Sequence, residues 1–248
     1  MNESINNNPP EGMPPLGRKY SEPLLGEDAA DREPIHGPVG VVEAILRHPR
    51  RVIYHLKQGP AGGLIFWLLA VSVAFAAGYG LIVGSFSGGM QWWAAPVKLA
   101  GGLGVAAAIC LPSLYIFVCL CGSTARLSEV AGTLGGLMTL MTLLLIGFAP
   151  VAWLFSQSTE SIVMMGCFHL LFWSVAVRFG VRLLLTAFRH FGLKSEAGLK
   201  VWVAIFLLVS LQMTAALRPL VGKADTLLPM EKKFFVAHWM DCLNGRMR

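Results

Sequence analysis

The sequence predicts an all-α membrane protein: a polytopic transmembrane helical bundle of about five spans behind a disordered N-terminal leader. Three observations carry this. Between Gly63 and Leu217 five long apolar stretches follow one another with short polar interruptions, and a helix needs about 20 apolar residues to cross a bilayer core. Charged residues are only 14% of the 248, and nearly all of them fall in the first 60 positions, one loop or the tail. The mean hydropathy is +0.61, a level uncommon in globular domains that face water on all sides.

Residues 1–36 are rich in Asn, Pro, Gly, Glu and Asp, too poor in large apolar groups to offset the entropy of ordering them, and are expected to be a disordered cytoplasmic leader. They contain no apolar core of the secretory-signal kind, so insertion is expected to rely on the first span as an uncleaved anchor. Residues 37–60 follow as a basic amphipathic juxtamembrane helix. Val41, Val42, Ile45 and Leu46 recur at helical spacing, Pro49 breaks or kinks the run, and Ile53 with Leu56 resume it. The cations Arg47, Arg50, Arg51 and Lys57, with His48 and His55, suit a helix lying on a membrane surface.

Residues 61–218 are expected to form the five-helix transmembrane domain, with spans at Gly63–Ser85, Leu99–Gly122, Thr133–Phe155, Ile162–Val177 (extended to about Thr186) and Leu199–Leu217. The last is about 28 Å long at 1.5 Å per residue, so Arg218 is expected to snorkel to complete it. A re-entrant fifth segment is the alternative. Trp92, Trp93, Trp153 and Trp202 near span ends are expected to form aromatic belts. Residues 219–248 read as an amphipathic tail in which a helix begins at Pro229 and docks at the interface through Phe234, Phe235, Trp239 and Leu243.

Orientation follows from the cations. With the N-terminus cytoplasmic, ten Lys and Arg lie inside (Arg47, Arg50, Arg51, Lys57, Arg126, Arg178, Arg182, Arg189, Lys194, Lys200). Five lie outside (Lys98, Arg218, Lys223, Lys232, Lys233). The positive-inside rule favours this arrangement, giving an integral, multi-pass protein of the plasma membrane, or of the inner membrane in a bacterium. The formal net charge of +6 is explained by orientation and anionic headgroups, and nucleic acid is not expected as a partner.

Few residues point to chemistry. His169 is the one ionisable side chain of its kind near the middle of a span; such groups usually face the bundle interior. Gln212, Thr139 and Thr142 are its expected hydrogen-bond partners, with His169 and Gln212 the candidate intramembrane polar site. Small residues at intervals of four (Gly80 and Gly84; Ala100, Gly104 and Ala108; Gly132 and Gly136) favour close helix packing. Pro112 and Pro150 lie inside spans and are read as structural kinks. His238, Asp241 and Cys242 share a helical face, but no substrate cleft or further ligand is visible for them. Four of the five cysteines lie in apolar stretches and behave as small hydrophobes. No phosphate-cradling loop, zinc-protease or serine-hydrolase motif occurs, so neither enzyme activity nor a cofactor nor a metal is expected.

Three stretches resemble the Yip-type family of five-span membrane proteins: HPRRVIYHLKQG leading into the first span, the second span ending in LYIFVCLCG, and STARLSEVAGTLGGLMTLMTLLLIGFAPVAW. The resemblance implies a cytoplasmic leader, a compact helical bundle and a non-enzymatic adaptor or organiser of membrane proteins; it carries no site residue across. The function expected is therefore a non-catalytic scaffold that recruits membrane partners or a second copy of itself. Its contacts to partners and anionic headgroups would be Arg47, Arg50, Arg51, Arg178, Arg182, Arg189, Lys194 and Lys200. A small transporter or transport subunit with a path near His169 is the alternative.

Overall fold

The computed structural model describes residues 24–87, 91–158 and 162–216, and those residues are helical throughout apart from turns and loops. The Arg218 anchor and the 219–248 tail, with His238, Asp241, Cys242 and the outer cations Lys223, Lys232 and Lys233, lie outside the described residues. Eight helices follow in order: α1 (Ala29–Arg32), α2 (Gly37–Arg47), α3 (Pro49–Gln58), α4 (Gly62–Ser87), α5 (Gln91–Leu120), α6 (Leu127–Ser158), α7 (Ile162–His190) and α8 (Ala197–Ala216).

Helices α4 to α7 are each long and apolar enough to cross a membrane, and α8 is a shorter apolar helix over Ala197–Met213. The chain is thus a membrane protein of the helical-bundle class. In space the five pack in the order α8, α5, α4, α6, α7. Side chains from all five line one cavity, so the row curves round it. The end where α4, α6 and α8 begin and α5 and α7 finish is called here the near end.

Close backbone approach holds the row together, as expected where lipid removes the hydrophobic drive between helices. A Cβ on Gly80 would lie 2.5 Å from Pro96 Cα, so α4 and α5 can cross there only on a glycine. Gly132 receives Leu56, and Gly136 lies against Ile45 and Leu183. The third stripe differs. Gly104 has open space above it and Ala108 is exposed, so that face of α5 points out of the bundle. Thr139 Oγ1 adds a polar tie, donating across to Leu68 O of α4 at 2.7 Å.

Helix α6, about 48 Å long at 1.5 Å per residue, exceeds the ~30 Å of a bilayer core. Its first turns carry the N-terminal segment. Glu129, third residue of α6, accepts from Arg126 N at 2.8 Å, satisfying a backbone donor at the helix start. Val41, Ala44 and Ile45 of α2 and Val52, Ile53 and Leu56 of α3 are buried against α4 and α6. The break falls at His48–Pro49, as the proline requires. These two helices therefore form a cap whose apolar residues pack on protein, and the break divides the expected 37–60 helix in two.

The leader is also corrected. Its part from Leu24 to His36 is folded, because basic residues of α3 supply donors that the segment lacks. Arg51, 5% exposed, donates to Glu33 O at 2.8 Å and Pro34 O at 2.5 Å and pairs with the Glu33 carboxylate at 3.0 Å. Arg50 reaches the buried Asp31 carboxylate at 3.5 Å, which also accepts from Gly26 N. Gly26 takes a φ of +90° with the Tyr54 ring against its Cα, a position open only to glycine.

Candidate functional site

Two short loops fix the near end. Helices α5 and α7 close in the same way, with a left-handed glycine (Gly122, φ +79°; Gly192, φ +80°). In each, the residue after the glycine donates five residues back: Ser123 N to Val118 O, Leu193 N to Phe188 O. These are Schellman-type caps. The loops then bond to one another, through Lys194 N to Cys121 O at 3.0 Å and Ser123 Oγ to Phe191 O at 2.8 Å. Lys57 Nζ of the cap donates to His190 O at 3.4 Å. Cations more than 130 positions apart in the chain are thereby brought to one surface.

On that surface Arg189 and Lys200 both pair with Glu196, at 2.6 and 3.1 Å. The Arg189 hydrogen bond, followed by that of Lys200, holds the Glu196 carboxyl below its ordinary range. Lys194 is exposed and lays its stem over Gly122. Arg178 and Arg182 are exposed on α7, which runs unbroken to His190, so they share its outward side with Arg189. Arg47 is exposed beside Glu43, a pair of the surface kind that contributes little. Arg50 and Arg51 are the exceptions among the expected contacts. They tie residues 24–34 to α3, and the buried Arg51 has no surface to offer a lipid or partner.

Deeper in the bundle, His169 Nδ1 lies 2.7 Å from Tyr79 Oη, edge-on, which joins α7 to α4. Thr139 and Thr142 were the expected partners, but their hydroxyls donate to helix carbonyls instead. His169 Nε2 has no hydrogen-bond partner among the described residues, so it is not bonded to Gln212. Sequence spacing could not reveal Tyr79, since it lies 90 positions away on a helix that is apolar all round.

Lys98 was missed. It was read as an outside charge marking the start of a span, yet α5 begins at Gln91 and the Lys98 side chain is buried with no partner for Nζ among the described residues. A signal was present: Trp92 and Trp93, exposed as belt residues are, place the interface about 9 Å before Lys98 at 1.5 Å per residue. Trp153 is likewise exposed, but Trp202 is fully buried and belongs to no belt. Its indole N–H donates to Ser113 Oγ at 3.0 Å and Cys110 O at 3.2 Å, docking α8 on α5 beside Pro112.

No family model, curated protein or solved structure matches the chain.

Proposed function

We propose that the chain is a non-catalytic integral membrane adaptor of Yip-type organisation, with its near end in the cytoplasm. It recruits membrane-protein partners on a basic surface that also rests on anionic headgroups. The observation supporting this reading is the Lys57 to His190 bond, which links the cap to the end of α7 beside the α7–α8 loop. Around it lie Arg189, Lys194 and Lys200, all exposed, of which Arg189 and Lys200 share the Glu196 carboxylate. Each Lys or Arg at an anionic leaflet contributes about 1 kcal/mol, and a surface already ordered loses little entropy on binding. The positive-inside count agrees with the orientation.

Replacing Arg189, Lys194 and Lys200 together by Gln, while keeping Arg178 and Arg182 to preserve topology, is expected to lower both co-purifying anionic lipid and partner recovery from mild detergent severalfold. Unchanged recovery of both would leave the loop as an insertion signal and end the adaptor reading. A transporter is the second reading, favoured by the Tyr79–His169 pair in the bundle. His169→Gln separates them: partner recovery survives the change if the protein is an adaptor, while flux would be lost if the pair lines a path.

A further inference from the structure

A partly open cavity of about 60 Å³ lies between the helices, lined from α4, α5, α6, α7 and α8 by residues that include Ala76, Lys98, Thr142, Trp173 and Ser210. Two of them carry polar atoms with nothing to bond. Lys98 and Ser210 are each 6% exposed, and neither Lys98 Nζ nor Ser210 Oγ has a hydrogen-bond partner among the described residues. The Thr142 hydroxyl, also in the wall, is already spent on Met138 O and Thr139 O.

Ser210 departs from the serines within the other apolar helices. Ser72, Ser113 and Ser174 each donate back to a carbonyl three or four positions earlier, the usual recourse of a hydroxyl within an apolar helix. Ser210 does not, which leaves its O–H for something else. Lys98 has no counter-ion among the described residues. Among the described residues no Asp or Glu lies on α4, α5, α7 or α8, and the one on α6 is Glu129 in its first turn. An ionisable group inside a membrane bundle is costly and marks a functional site by default. A mostly apolar pocket with a few convergent polar groups is the usual form of a ligand site.

We propose that this cavity binds the carboxylate of a long-chain fatty acid, with Lys98 and Ser210 donating to its oxygens. The chemistry selects the ligand by charge and surroundings. An ammonium with no partner among the described residues calls for an anion, and a hydroxyl lining the same cavity supplies a second donor. Leu99, Leu103, Leu145 and Met213 in the walls suit the first methylenes of an acyl chain rather than a hydrated inorganic ion. The cavity is partly open, so the rest of the chain need not fit inside.

The test uses the purified full chain in mild detergent, with oleate, oleyl alcohol and inorganic phosphate as probes. Oleate is expected to raise Tm while the alcohol and phosphate leave it unchanged. Lys98→Met, similar in shape but uncharged, should weaken oleate binding about tenfold or more, and Ser210→Ala by less. A diazirine-bearing fatty acid added to the unaltered protein covers the case of a variant that does not fold. It should crosslink to peptides around 98–106 and 207–213, with oleate competing. Equal shifts from oleyl alcohol, equal shifts from phosphate, oleate binding undiminished in a folded Lys98→Met variant, or crosslinks confined to other helices would each overturn the proposal. If no probe shifts Tm, water, for which the cavity has room, is what satisfies Lys98 and Ser210.

Discussion

Trp202→Ala is expected to release α8 from the bundle. Helix α8 packs chiefly on α5, and Trp202 is its fully buried anchor, stacked on Phe206 with ring centroids 5.3 Å apart. Because an undocked α8 would lie in lipid, the transfer part of a buried-Trp truncation largely vanishes. What remains is the cavity share, about half of the usual 3–5 kcal/mol, plus about 1 kcal/mol for the indole bond. The loss should therefore be about 3 kcal/mol in a reversible unfolding titration, whereas Trp202→Phe, which keeps most of the ring contact, should cost only the bond. Ser210 sits two turns farther along α8, so the Ala variant should also lose the oleate response.

Arg51→Ala is the second large effect expected, at about 2–3 kcal/mol, because it removes charge-assisted bonds to two backbone carbonyls together with the Glu33 pair. Arg51→Lys keeps the charge but cannot reproduce the planar fork, and should recover about half of that, or ~1 kcal/mol. The measurement is detergent-solubilised thermal stability together with protease susceptibility of the 24–36 segment. Cleavage there should rise in the Ala variant while the α4–α8 bundle stays intact, since the lost bonds belong to the cap alone.

These two sites show where reading the chain succeeded and where it could not. The bundle was legible because it rests on composition: α4 is apolar on every face, and no other environment suits 26 such residues in one helix. The Pro49 break and the small-residue approaches at Gly80, Gly132 and Gly136 were legible because they rest on one residue's sterics. Trp202 and Arg51 were misread because the expectations used only local chemistry. A Trp near a span end reads as a belt residue, and an Arg in a basic helix as a lipid contact, unless the partners are known; those are Ser113, 89 positions away, and Glu33 with Pro34 on a stretch whose composition argued for disorder. Lys98 was lost to a boundary rule: drawing the span to begin after a charge hides any charge inside it. The Tyr79–His169 pair and the cavity depend on which helices are neighbours, and an apolar pattern alike on all sides does not encode that order.

The proposed adaptor surface requires the near end to be cytoplasmic, with the cap, the α5–α6 loop and the α7–α8 loop on one side of the membrane. Single cysteines at Ala30, Ser128, Ser195 and Ser158, in a background without the native cysteines, report this by labelling from each side in intact cells and inverted vesicles. Ala30, Ser128 and Ser195 should react with an impermeant maleimide only from the cytoplasmic side, and Ser158 only from the opposite side. Labelling of Ser195 and Ser158 from the same side, or of Ser128 from the outside, would contradict the arrangement and with it the adaptor surface.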